Sequence, residues 1–305
     1  MSVGAGSVAP RGGWRRRRAE ALAASGAAVG PGRLALRRMF RNRLSIAAVA
    51  VLGAIVLAVV LGPFVWTADP NAQHLNLAVA GPSSAHPLGT DTNGRDMLAR
   101  VLAGGRVSIS ISLAAVLIAA GVGALIGLAA GFAGGLLDAV AMRAMDILLA
   151  FPSLLLALAV VAAAGAGVVS ITLAVAIPNV AFFARIMRSM VISVRERDYV
   201  LAARASGVRR SRILLRHVVP NSLSPVIVAM ALVFGLTLLD VAALGFLGFG
   251  IQPPQSEWGT LLNDAREYLL TSPVALIVPG LAIALTALAG NLVGDALNDA
   301  FDTGR

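Results

Sequence analysis

The chain has 305 residues, of which 58% are hydrophobic and 13% charged, with a net charge of +10 and a mean hydropathy of +0.84. A soluble domain of this size would carry about 25% charged residues, so composition excludes the soluble classes and assigns the chain to integral membrane proteins. With no cysteine, disulfides and thiolate metal sites are excluded as well.

All 25 basic residues are arginine. A P-loop needs a lysine on the β- and γ-phosphates, so the usual ATP site cannot lie in this chain, and a lysine nucleophile is excluded too. Ten arginines precede Leu44 and nine fall between Arg185 and Arg216. Both groups flank apolar runs, as expected for cytoplasmic segments. They lack interleaved stacking aromatics, so nucleic acid is not an expected partner.

In chain order, residues 1–32 are Gly/Ala/Ser-rich with the run Arg15–Arg18. They hold no apolar core of a secretory signal and read as a disordered basic tail drawn at most to anionic lipid. The first span is expected within 33–66, on the uncharged run Leu44–Val65. At 1.5 Å per residue, ~20 residues cross a ~30 Å hydrocarbon core.

An external segment, 67–105, follows. Its His74, His86, Asp91 and Asp96 match no common metal-ligand spacing, and Pro87, Gly89 and Gly94 mark turns. The expectation is a structural elbow entering the second span, in position to touch an outer partner.

Val107–Phe132 is the second span, with Gly121, Gly123, Gly127 and Gly131 allowing close helix approach. Ile147–Phe183 is uncharged and would make one helix of ~55 Å. Gly165-Ala166-Gly167 divides it into two spans. Pro225–Phe249 and Val274–Val293 complete six, with Pro152, Pro178 and Pro279 as candidate kinks. Asp146 is expected to pair with Arg143 on its own helix. Arg185 and Arg188 are expected to snorkel, and Trp258 and Tyr268 to sit at the membrane interface. Asp240, the deepest acid, is a candidate pathway or gate residue or a partner for an arginine on another subunit.

With the N-terminus inside, inner segments hold 21 arginines and outer segments hold Arg95, Arg100, Arg106 and Arg266. That asymmetry predicts cytoplasmic N- and C-termini. It also places segment 195–221, RERDYVLAARASGVRRSRILLRHVVPN, in the cytoplasm. The segment reads as a helix over Tyr199–Ser206, a glycine C-cap at Gly207, a second helix over Val208–Val219 and a stop at Pro220. Ala202, Ala203 and Ala205 leave the first helix with little bulk, so a partner can approach its backbone.

The pattern Ala202-Ala203, Gly207, then His217-Val218-Val219-Pro220-Asn221 is similar to the EAA loop of ABC-importer permeases. His86-Pro87-Leu88-Gly89-Thr90-Asp91 with Gly94-Arg95-Asp96 resembles a sequence before the second span in dipeptide, oligopeptide and nickel permeases. Gly245-Phe246-Leu247-Gly248-Phe249-Gly250, Gln252-Pro253-Pro254 and Trp258-Gly259 resemble their segment after the fifth span. Asn291-Leu292 and Gly294-Asp295 resemble their C-terminal end.

The resemblance implies an all-α polytopic fold of the type I importer class, six transmembrane helices with a cytoplasmic coupling helix. A five-helix core would cover 106–296 and a cytoplasmic C-terminus 297–305. It implies the permease subunit of an ATP-driven importer of di- or oligopeptides in the inner membrane, the alternatives being a nickel-chelate or other small-solute permease, or an ion-coupled secondary transporter. The implied partners are a homologous permease, two ATP-binding domains or subunits, an external binding protein and the bilayer. ATP hydrolysis falls to other chains, and no cofactor is expected in this one. Leu201, Ala202, Ala203, Arg204, Gly207, His217, Pro220 and Asn221 are the implied ATPase-coupling residues. Leu201 stands where the motif normally has glutamate.

Overall fold

The computed structural model describes residues 42–301. The expected basic tail, the start of the 33–66 segment and the last four residues lie outside that range. Regular structure within it is helical, apart from a single antiparallel bridge between Thr90 and Asp96. The helices are α1 (Arg43–Val65), α2 (Met97–Ala133), α3 (Gly135–Leu149), α4 (Ser153–Ala164), α5 (Val168–Arg195), α6 (Asp198–Ala205), α7 (Arg210–Ile213), α8 (Val219–Leu244), α9 (Trp258–Ala265) and α10 (Val274–Phe301).

Five helical stretches are long and apolar enough to cross a bilayer: α1, α2, α5, the run Arg210–Phe249 that contains α8, and α10. A further apolar pair, α3 and α4, meets at 89°, the geometry of a broken span or a re-entrant loop. This corrects the expected third span from Ile147. With 12 residues, α4 is only ~18 Å long, and the chain breaks at Ala150–Pro152 first. Pro152 supplies no N–H and its ring disfavours helix in the residue before it. The Gly165–Gly167 turn is where expected, with Gly165 at φ +83° ending α4.

The core is organised by α2 against α5. A Cβ on Gly123 would stand 2.5 Å from the Val180 carbonyl oxygen, one on Gly127 2.2 Å from that of Ala184, and one on Gly131 3.0 Å from that of Arg188. Residues spaced by four share one helix face, so these three glycines form the strip on which α5 lies. Gly121 faces open space and takes no part. Buried Ile111, Val116, Ile171, Phe183, Met187 and Val241 fill the adjoining interior. Outward, Leu57, Leu125, Leu136, Leu155 and Leu288 are more than half exposed, a surface suited to lipid and neighbouring helices.

Two expected charge arrangements are replaced. Asp146 pairs with Arg185 at 2.5 Å rather than with Arg143, and Asp138 takes Arg188 through both oxygens. The bend at Pro152 lays α3 beside α5, which brings its acids to the arginines. Those arginines therefore bridge helices instead of snorkelling. Pro178 and Pro279 are carried inside continuous helices.

The stretch before α2 is the expected elbow. Gly89 and Gly94 take φ +75° and +70°, conformations cheap for glycine. Thr90 Oγ1 accepts from Ala80 N–H and donates to the Leu77 carbonyl. Asp96 caps α2 through Ala99 N–H at 2.7 Å while binding Trp66 Nε1 and His86 Nδ1. Among the described residues no three His, Asp or Glu side chains are grouped as metal ligands. Trp258 and Tyr268 depart from the interfacial expectation, being 1% and 6% exposed. Gly105 leaves room for the Trp258 ring, whose Nε1 donates to the Val101 carbonyl at 2.9 Å.

Candidate functional site

At one end of α8 lies segment 195–221. Two turns of helix, α6, present Val200 to the core with no exposure, and Ala203 and Val208 pack beside it. The other face shows Leu201, 45% exposed, with Ala202 and Arg204. Asp198 in the first turn and Arg204 in the last complement the helix dipole. Gly207, at φ +75°, ends the helix as the sequence predicts: its N–H donates to the Arg204 carbonyl and that of Val208 to Ala203, both at 3.1 Å.

The second arm differs from expectation. α7 passes into a π turn, Leu214–Val218, and on into α8 without interruption. Pro220 therefore does not stop a helix. It occupies the first turn of α8, where a missing N–H costs little. The wider i→i+5 turn before it carries Val219 N–H to the Leu214 carbonyl. Ile213 and Val218 are buried; Leu215 is exposed.

Of the eight implied coupling residues, Leu201, Ala202, Arg204, Gly207, Pro220 and Asn221 are exposed, while Ala203 and His217 are half-buried. The Tyr199 and His217 rings, 6.1 Å apart, join the two arms. Asn221 Nδ2 donates to the His217 carbonyl at 2.6 Å. Asp240 stands apart on α8, half-buried and without an ion pair among the described residues.

Sequence reasoning missed a polar centre at the opposite end of α8. Glu257 is 1% exposed. Its Oε1 accepts from Ser108 Oγ at 2.8 Å and Gly259 N–H at 2.9 Å, and its Oε2 from Thr260 N–H at 3.0 Å. Burial pushes this carboxyl above the ordinary glutamate range, and the hydrogen bonds from Gly259, Ser108 and Thr260 pull it back. Glu257 and Thr260 cap α9 reciprocally, with the acid at the N-cap and the hydroxyl at the third helical position, the reverse of the usual order.

Beside it, Asp91 Oδ2 lies 2.6 Å from Arg95 Nε and 3.3 Å from Arg100 Nε, while Arg100 Nη2 stands 3.8 Å from Asp264. Burial raises the Asp264 carboxyl, with Arg100 and Arg95 drawing it down. Two cavities of about 70 and 200 Å³ adjoin here and share Pro253, Asn263 and Asp264. An arginine in the first turn of a mostly apolar helix was the available signal.

Residues 123–305 match the family described as binding-protein-dependent transport system inner membrane component, and residues 30–86 match the N-terminal transmembrane domain of oligopeptide transport permease C. The chain belongs to this family of transport permeases. It is thus a multi-pass inner-membrane transport component and not a catalytic subunit. Among its relatives, the dipeptide transport system permease protein DppC of Alkalihalophilus pseudofirmus is 40% identical over 90% of each chain. The glutathione transport system permease protein GsiD of Pectobacterium atrosepticum is 44% identical over 73% of this chain and 74% of its own. The nickel transport system permease protein NikC of Escherichia coli is 37% identical over 86% of this chain and 95% of its own.

Within this permease the departure at Leu201 acquires a physical form. Its apolar side chain is exposed on α6 beside Ala202.

Proposed function

We infer that the chain is one permease subunit of an ATP-driven ABC importer of di- or oligopeptides. It pairs with a homologous permease to form the membrane path, served by two ATP-binding subunits and an external binding protein. The observation that carries this reading is the alignment over 90% of each chain with a dipeptide permease, joined to an exposed helix–glycine–helix at one end of the bundle. The arginine asymmetry supports a cytoplasmic position for that end and for both termini.

In this reading α6 is the coupling helix, and 195–221 sits in a cleft of the ATP-binding subunits. Their closure on ATP moves α6 and, through α7 and the π turn, α8. Coupling of this kind requires different contact with the ATP-bound and ATP-free states. Asp240 is a pathway or gate residue, or meets an arginine of the second permease.

The test is peptide uptake by the reconstituted transporter. Gly207→Pro, incompatible with φ +75°, and Ala203→Arg, which drives a long charged side chain into the half-buried seam of α6, are expected to abolish uptake while membrane insertion persists. Normal uptake in either variant would refute the coupling role. Uptake of a nickel chelate in preference to peptides would replace the peptide assignment with its alternative.

A further inference from the structure

Arg100 is the most deeply buried cation among the described residues, 1% exposed, and its hydrogen-bonding capacity is largely unused. A guanidinium carries five N–H donors and is always charged. Here Nε and Nη1 find no hydrogen-bond acceptor among the protein's atoms. The nearest carboxylate, Asp91, is at 3.3 Å from Nε and already holds Arg95 at 2.6 Å. Asp264, at 3.8 Å, is beyond hydrogen-bond reach, and its side chain is 38% exposed. Leaving two buried donors of a charged group without an acceptor is costly, so the arrangement suits a partner that arrives from outside the chain.

The space for that partner is built. Arg100 forms a wall of the 70 Å³ cavity, together with Gly245, Gly248, Gln252, Asn263 and Asp264. Its size admits a group of a few atoms rather than a bulky side chain. The adjoining 200 Å³ cavity shares Pro253, Asn263 and Asp264 with it and is lined by a second acid, Glu267, and by Arg95 and Arg266. A carboxylate would find charged donors at Arg100, and a backbone amide would find the carboxamides of Gln252 and Asn263.

We propose that the Arg100 cavity is a peptide-terminus subsite, in which Arg100 takes the C-terminal carboxylate of a short peptide entering the permease and the rest of the peptide lies toward the adjoining cavity. The inference rests on the peptide reading above and on its orientation, which puts this site at the external mouth.

The test uses the assembled transporter in nanodiscs, with a photo-crosslinking residue at Gln255 on the rim of the smaller cavity and radiolabelled dialanine or its C-terminal amide as probe. The free acid is expected to label about tenfold or more above the amide, the discrimination of a charge-assisted pair. Arg100→Gln is expected to erase that preference, and Arg100→Lys, which keeps the charge but not the fork, to retain part of it. A purely structural role for Arg100 would lower labelling by both probes and leave their ratio unchanged. An unchanged ratio in Arg100→Gln, equal labelling by acid and amide, or no labelling above background overturns the proposal. Peptide uptake by the same preparation is measured separately: its presence beside a failed labelling ratio sinks the subsite alone, and its absence sinks the peptide reading beneath it.

Discussion

Glu257 shows how much one side chain can organise when it is buried with its bonds satisfied. It ties α2 through Ser108 to the start of α9, and neighbouring Trp258 reaches back to Val101. Gln at this position keeps the shape but offers one acceptor oxygen where the carboxylate uses two. Glu257→Gln is therefore expected to lose about 1–3 kcal/mol at neutral pH, read as a lower thermal midpoint in detergent. The pH dependence has a definite sign. A carboxyl raised on folding bears no charge-burial penalty below its unfolded pKa of ~4.3 and the full penalty above its folded one. The Glu257 contribution to stability thus weakens as pH rises from ~4.3 through the raised value. That slope should disappear in Glu257→Gln; an identical pH profile for both proteins would contradict the burial.

At the scale of elements, the α2–α5 contact depends on backbone approach. Gly127→Ala would press a methyl to 2.2 Å from the Ala184 carbonyl oxygen, forcing the helices apart at about 1–3 kcal/mol. Gly121→Ala, six residues earlier on the same helix, meets open space and is expected to be neutral or stabilising by up to ~1 kcal/mol. Comparing the two variants' thermal midpoints separates packing from propensity; equal shifts would refute the strip. Helix spacing made Gly123, Gly127 and Gly131 legible in the sequence, and glycine chemistry did the same for Gly207. The break at Pro152 was not legible, because an uncharged run does not reveal whether a proline inside it kinks a helix or ends one. Pro220 misled for the converse reason: a π turn upstream absorbs it. Arg100 and Glu257 escaped because their meaning depends on partners more than 140 residues away in sequence.

For the whole molecule, the proposed topology is directly measurable, because the chain contains no cysteine. Single cysteines at Ser206 and Thr92 are expected to react with an impermeant maleimide from opposite sides of the membrane, Thr92→Cys from outside and Ser206→Cys only after the inner face is opened. Reaction of both from one side would overturn the orientation.

The run from Arg210 to Phe249, helical up to a kink at Gly248, has a mechanical consequence. Up to that kink it makes a shaft of ~57 Å. A π turn lies at each end, Leu214–Val218 and Gly245–Phe249, and Gly248 at φ +87° adds a point of compliance. Pivoting such a shaft about its middle by ~10° sweeps either end through roughly 5 Å, given its ~30 Å arms. The far end carries Gly245 and Gly248, which wall the Arg100 cavity. A displacement begun at α6 would therefore change the volume of that cavity without any signal passing between side chains.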